Sequence, residues 1–353
     1  MALTAAHVVA DPFADTSPVG PAVIDWEATL AYRRHLWAYG LGVAEAMDTA
    51  QRGMGLDWGA TAELITRSCA EASSSGGSIV CGANTDNLDR DHGSLEDIVA
   101  AYETQCEHIE SAGGRIVVMA SRHLARWADG PDDYHHVYGR ILSGVREPAI
   151  LHWLGPMFDT ALEGYWGSTD FDGATDVVFD LLAQHADRID GIKISLLDAY
   201  RERAFRQRIP AGIRCYTGDD FNFPDLIRGE GGRYSDALLG VFDAIAPIAA
   251  HALRCLDADD IAGYDSAFAP TVPLSRHLFA APTVYYKTGI VFLAYLNVHQ
   301  DHFRMVGGLE SARSIVHLGE IVRLADRAGV LADPDMAANR YQRVLDVAGI
   351  GPT

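Results

Sequence analysis

Lysine is almost missing from this chain. Of its 28 basic residues only Lys193 and Lys287 are lysine; the rest are arginine. A guanidinium keeps its charge at any physiological pH, so arginine can replace lysine as a surface cation but not where an amine must lose its proton. The scarcity therefore marks both lysines for a closer look. Cysteine is thin as well: Cys69, Cys81, Cys106, Cys215 and Cys255 are widely spaced and form no CxxC pair. That pattern suggests neither a disulfide framework nor a zinc site and fits a reducing compartment. No stretch approaches the roughly 18 apolar residues of a membrane span, and the opening MALTAAHVVADPF lacks a basic segment leading into an apolar run. The expectation is an untargeted, cytoplasmic protein without membrane contact. A net charge of -20 argues against nucleic acid as a partner, because phosphates need a concentrated basic face.

What is present is a long, moderately apolar chain, 353 residues and 48% hydrophobic, able to bury a large core without metals or disulfides. Short β-branched runs recur, each followed by a helical pattern: His7–Asp11, Gly42–Ala46, Ser78–Gly82, Arg115–Ala120, Ala149–Leu154, Gly191–Ser195, Gly212–Thr217 and Ala237–Asp243. Eight strand–helix units predict an α/β fold, a (β/α)8 barrel, over residues 1–247. From 248 to 353 the pattern is helical without strands, which predicts a C-terminal helical extension packed on the barrel. Helices are expected at Trp26–Tyr39, Trp58–Ser74, Ser94–Ala112, Asp132–Val145, Ala174–Ala186 and Phe223–Gly229. In the extension they are expected at Ile248–Leu256, Asp259–Leu278, Tyr285–His299, Leu309–Ala328 and Pro334–Ala348.

The segment Gly191-Ile-Lys-Ile-Ser195 sets a lysine inside an apolar strand. Side chains alternate along a strand, so Ile192 and Ile194 share one face and Gly191, Lys193 and Ser195 the other. In a barrel the isoleucines pack beneath the outer helices and Lys193 points inward. Burial there favours the neutral, nucleophilic amine that Schiff-base chemistry needs. Lys287 falls in a helical stretch and is expected to be structural or interfacial.

Gly191-Ile-Lys-Ile-Ser195, Thr217-Gly-Asp-Asp220, Gly240-Val-Phe-Asp-Ala-Ile-Ala-Pro247 and Ser275-Arg-His-Leu-Phe279 through Lys287 follow one another in an order and spacing that resembles the dihydrodipicolinate synthase and N-acetylneuraminate lyase family of class I aldolases, as a divergent branch. The resemblance extends from Asp11-Pro-Phe13 to the helix around Lys287. It implies a Schiff-base lyase or hydro-lyase that uses Lys193, requires neither metal nor cofactor, takes a small carbonyl substrate and assembles as a homodimer or homotetramer. Two stretches depart from the family pattern. The turn after strand 2, which holds the pyruvate carboxylate in the family, reads Gly42-Val-Ala-Glu-Ala-Met-Asp48 here. The strand 5 tyrosine that relays protons is replaced by His152, which can also relay them near neutral pH.

Barrel active sites lie at the C-terminal ends of the strands. The polar residues expected there are Glu45 and Asp48 after strand 2, Asn84 with Thr85 and Asp86 after strand 3, and Arg122 with Ser121 and His123 after strand 4. Ser195, Asp219 and Asp243 close the set after strands 6, 7 and 8. Lys193 and His152 are expected to be catalytic. Glu45, Asp48, Asn84, Arg122, Ser195, Asp219 and Asp243 are expected to bind substrate, the acids pointing to a polyol or keto-sugar more than to a small 2-oxo acid. Structural readings compete: Glu45 or Asp48 as ion-pair or capping acids, Asp219 as a helix cap, Trp153 packed behind its strand, His299 and His302 as surface residues. Two other functions remain open. One is a divalent-metal sugar isomerase or epimerase with Glu45, Asp86, His152 and Asp243 as ligands. The other is a non-catalytic sugar-binding barrel.

Overall fold

The computed structural model describes residues 1–17, 20–88 and 92–351. Eight parallel strands close into one barrel in chain order, β1 Ala2–Ala5, β2 Gly42–Glu45, β3 Ile79–Ala83, β4 Arg115–Val118, β5 Ala149–Leu154, β6 Ile189–Ser195, β7 Arg214–Thr217 and β8 Asp236–Leu239. The first strand pairs with both the second and the eighth. Helices alternate with the strands on the outside, so the fold is a (β/α)8 barrel, as the recurring pattern predicts.

Two clusters of buried side chains divide the core. One fills the barrel and includes Leu3, Ala5, Ala44, Val80, Val117, Met119, Ile150, Tyr216 and Leu238; the much larger one lies between strands and helices and takes Val43, Ile192 and Ile194. Alternation along each strand assigns residues to one or the other. In β6 it sends the two isoleucines outward and Lys193 inward. The register pairs His152 of β5 with Lys193 of β6 and Lys193 with Tyr216 of β7. Trp153 packs outside the barrel against Trp166, Phe171 and Phe205.

Strand 1 is displaced from its expected place. The β-branched run at His7–Ala10 is the stronger sequence signal, yet its amides bond side chains, His7 N–H to Asp243 Oδ2 at 2.8 Å and Val9 N–H to Thr29 Oγ1 at 3.0 Å. The ladder partners belong to Ala2–Ala5. Strand 8 ends at Leu239, and the helix Val241–Asp257 begins where the strand was expected to continue. This helix runs through Pro247, so the expected boundary at residue 247 lies inside it. Proline cannot donate to the carbonyl four residues back, and that carbonyl, of Asp243, accepts the Tyr32 hydroxyl instead. The helix expected at Asp259–Leu278 is two, Ile261–Phe268 and Thr271–Leu278, separated at Pro270. Helices at Arg122–Trp127 and Ala199–Arg208 were not expected.

In the extension, the helix Tyr286–Leu296 has every residue buried. It brings Tyr286 and Lys287 to the barrel mouth.

Glu202, on the helix Ala199–Arg208, is a buried carboxyl accepting from Ser235 Oγ at 2.7 Å and Thr217 Oγ1 at 3.0 Å. Burial is the main reason its pKa rises to about 8. The native state therefore holds a proton that the unfolded chain gives up near the ordinary glutamate value. This contribution to stability is full below that value and is lost as pH climbs through 8. Urea unfolding is expected to show up to roughly 2 kcal/mol less stability at about pH 7.5 than at about pH 5.5 from this residue. Glu202→Gln is expected to flatten that fall; an unchanged pH slope in the variant would assign it elsewhere.

Candidate active site at the C-terminal mouth of the barrel

A cavity of about 650 Å³ is walled by residues that directly follow the strand ends. After β2 come Asp48, Arg52, Gly53 and Met54; after β3, Asn84, Thr85 and Asp86; after β4, Ala120, Arg122, His123 and Arg126. The end of β5 and its loop contribute Leu154, Phe158 and Asp159, and the extension contributes Tyr286 and Lys287. A narrow recess shares the walls Asp48, Leu154, Phe158 and Tyr286 and ends on Lys193, Ser195, Gly218 and Asp220. Its volume of about 10 Å³ matches one water-sized or carbonyl-sized group.

Lys193 is buried, and desolvation lowers its pKa, while the carboxylates of Asp48 and Asp220 act the other way and favour the ammonium. Asp220 is buried beside it. Burial raises its pKa to about 8, opposed by the Val241 N–H, which it accepts at 2.8 Å, and by Lys193. Amine and carboxyl therefore line one buried recess, where each favours the charged form of the other. Asp48 accepts the Tyr286 hydroxyl at 2.9 Å, and that hydroxyl also touches Thr49 Oγ1. Burial first and Asp48 second keep Tyr286 a phenol. Tyr286, Asp48 and Thr49 therefore form a hydrogen-bonded group on the wall of the recess that Lys193 and Asp220 also line.

His152 is fully buried next to Lys193, bonded through Nε2 to Ser195 Oγ at 3.0 Å. Desolvation, reinforced by Lys193, drives its pKa well below the ordinary histidine value, so the ring is neutral. Its Nδ1 is buried without a hydrogen-bond partner among the described residues.

Gly218 gives the lysine its space. A Cβ there would stand 2.1 Å from Ser195 Oγ and 2.7 Å from Lys193 Cε. Gly218→Ala is expected to displace the amine and lower adduct formation at Lys193 on the order of 10²-fold, a misplacement effect. Comparing reductive-trapping rates of the variant and wild type checks this; equal rates would show that the recess tolerates the methyl.

The remaining sequence-derived residues divide. Asp48, Asn84, Arg122 and Ser195 line the cavity or its recess. Glu45 does not: it points outward, fully buried, and accepts Arg33 Nε at 2.8 Å and Nη2 at 2.9 Å. Asp243 also lies elsewhere, its carboxylate on the backbone and ring of His7. Asp219 caps its turn, accepting from the Phe221 and Asn222 amides at 2.9 and 3.0 Å. The three acids and the histidine considered as metal ligands are not brought together, Asp86 being held by Arg52 at 2.7 and 2.8 Å. Among the described residues no group of three or more His, Cys, Asp or Glu side chains is placed to hold a metal ion. His299 is half-buried rather than a surface histidine, packed on Tyr32 and His35.

Sequence reasoning missed Asp220, Tyr286 and the position of Lys287. For Lys287 there was a signal: Tyr286–Leu296 is apolar on every side, which is the pattern of a buried helix, not a surface one.

A family model described as "Protein of unknown function (DUF993)" matches residues 1–350. The chain belongs to this family. No curated protein matches it in sequence. Solved barrels resemble this DUF993 protein throughout. Dihydrodipicolinate synthase from Aquifex aeolicus superposes with a TM-score of 0.69 at 12% identity, over 94% of this chain and 98% of that one. The enzyme from Bacillus clausii gives 0.68 at 13% identity, over 92% and 96%. The chloride-inhibited, pyruvate-complexed enzyme from Acinetobacter baumannii gives 0.67 at 16%, over 93% and 98%. At such identities the likeness establishes the fold, that of the dihydrodipicolinate synthase barrels. Among the described residues no helix is long and apolar enough to cross a membrane.

Proposed function

We propose that this DUF993 protein is a Schiff-base-forming lyase or aldolase, acting through Lys193 on a 2-oxo acid or keto-sugar-like carbonyl compound. The observation that carries the reading is the inward amine of Lys193, buried at the end of a carbonyl-sized recess with its pKa lowered by desolvation. The structural neighbours, themselves dihydrodipicolinate synthases, support it.

In this reading the neutral Lys193 amine attacks the carbonyl carbon, and the oxygen takes a proton to give a carbinolamine. Loss of water then leaves an iminium. The iminium accepts the electron pair of the adjacent C–C or C–H bond as it breaks, and hydrolysis of the resulting enamine or imine returns the amine. Asp220 takes and returns the amine proton, and Tyr286 turns its hydroxyl proton from Asp48 to the departing water, regaining one from the water that later hydrolyses the imine. His152, neutral and bonded to Ser195, positions the floor of the recess.

Incubation with pyruvate, 2-oxoglutarate, dihydroxyacetone and its phosphate, followed by borohydride reduction and peptide mass mapping, tests the reading. A reduced adduct on Lys193 with at least one of these is expected. Unmodified Lys193 with all of them would overturn it.

A further inference from the structure

The second lysine stands in the same cavity as the first, and its surroundings leave it unfinished. Lys287 is 4% exposed and lines the wall formed by Met54, Arg122 and Asp159. An ammonium offers three donors. Among the described residues the one hydrogen bond that Lys287 makes goes to the thioether of Met54 at 3.2 Å, a weak acceptor, and its ammonium lies 5.5 Å from the centre of the Tyr286 ring. The carboxylates around it are already engaged: Asp159 accepts Arg122 Nε at 2.5 Å, Asp86 accepts Arg52 and Gln105, and Asp48 accepts Tyr286. Desolvation lowers the Lys287 pKa and Arg122 lowers it further, against Asp48 and Asp159. A buried cation with unmade donors is costly unless something in the cavity completes it. The guanidinium of Arg122 leans over Gly53, where a Cβ would lie 3.4 Å from Nη1 and 3.5 Å from Nη2; Nε holds Asp159, which orients the rest of the fork. A planar fork and an ammonium on one wall match a carboxylate or phosphate.

We infer that Lys287 and Arg122 form an anion subsite at the outer part of the cavity, which holds a carboxylate or phosphate carried by the substrate at the end remote from its reacting carbonyl. The inference rests on the Schiff-base reading for the word substrate, not for the anion site itself. It also changes the class of compound expected from the acids of the rim. Those acids are spoken for by arginine, glutamine and tyrosine donors, and the cation left over favours a charged keto acid or keto-sugar phosphate over a neutral polyol.

Two measurements keep the two readings apart. In the first, Lys193 trapping is compared within matched probes, 2-oxoglutarate against 2-oxopentanoate and dihydroxyacetone phosphate against dihydroxyacetone. The member with the distal anion is expected to reach half-labelling at roughly 10- to 100-fold lower concentration. That preference is expected to vanish in Lys287→Met and to survive in Lys287→Arg. The two pairs also tell carboxylate from phosphate. In the second, calorimetry of inorganic phosphate and of malonate with the unreacted protein is expected to show binding that Lys287→Met weakens by the same roughly 10- to 100-fold. Anion binding that depends on Lys287, with no adduct from any probe, would support the subsite and sink the Schiff-base reading. Equal anion affinity in wild type and Lys287→Met, no binding of either anion to wild type, or an adduct on Lys287 itself would overturn the subsite.

Discussion

Lys193→Arg is expected to abolish the reduced adduct and to lower turnover of any trapped carbonyl compound on the order of 10⁴-fold or more. The reason is chemical rather than steric. A guanidinium keeps the positive charge beside Asp48 and Asp220, so the electrostatics of the recess survive, while the neutral amine is gone. A lysine kept only as an ion-pair partner would tolerate the change, and turnover within about tenfold of wild type would return Lys193 to a structural role. The pH course is a second check. Because the amine pKa is lowered, trapping is expected to rise with pH and level off below the range of an ordinary lysine.

The largest stability effect is expected at Glu45→Ala. Glu45 and Arg33 have fully buried side chains and meet through two parallel N–H···O bonds, with Arg33 also donating to the carbonyls of His7 and Thr29. Removing the carboxylate strands a guanidinium where water cannot reach it, at a cost of about 3–5 kcal/mol. Equilibrium urea unfolding measures this. Replacing the pair together, Glu45→Leu with Arg33→Met, is expected to recover most of the loss, since two apolar groups leave no uncompensated charge. A single-variant loss below about 1 kcal/mol would mean that the pair is hydrated in solution.

Glu45 also shows where the sequence could be read and where it was misread. The alternation that sends Lys193 inward applies equally to β2, where Ala44 joins the inner cluster and Val43 the outer one, so Glu45 falls on the outer face. Its position at a strand end suggested the rim; its parity pointed away from it. Strand recurrence was legible because each barrel strand must bury both faces, which concentrates β-branched residues. Strand 1 was not, because Ala2–Ala5 carries a weaker version of that signal than the loop behind it. Asp219 and Asp220 look alike in sequence, yet the first caps its turn while the second accepts the amide at the start of the next helix and lines the recess with Lys193. Local pattern does not decide between neighbouring acids. Tyr286 and Lys287 enter the cavity only because the extension folds back over the barrel mouth, a tertiary event that periodicity within the helix cannot express.

The distribution of the two lysines has a practical side. Every other basic side chain in the protein is arginine or histidine, and both ε-amines open on one cavity. A mild amine-selective electrophile, such as a salicylaldehyde, would find no competing lysine anywhere on the outer surface. Labelling of the two lysines, resolved from the Met1 amine by peptide mapping, can then follow occupancy of the site, and a reversible covalent ligand for it could be selected in the intact protein without a turnover assay.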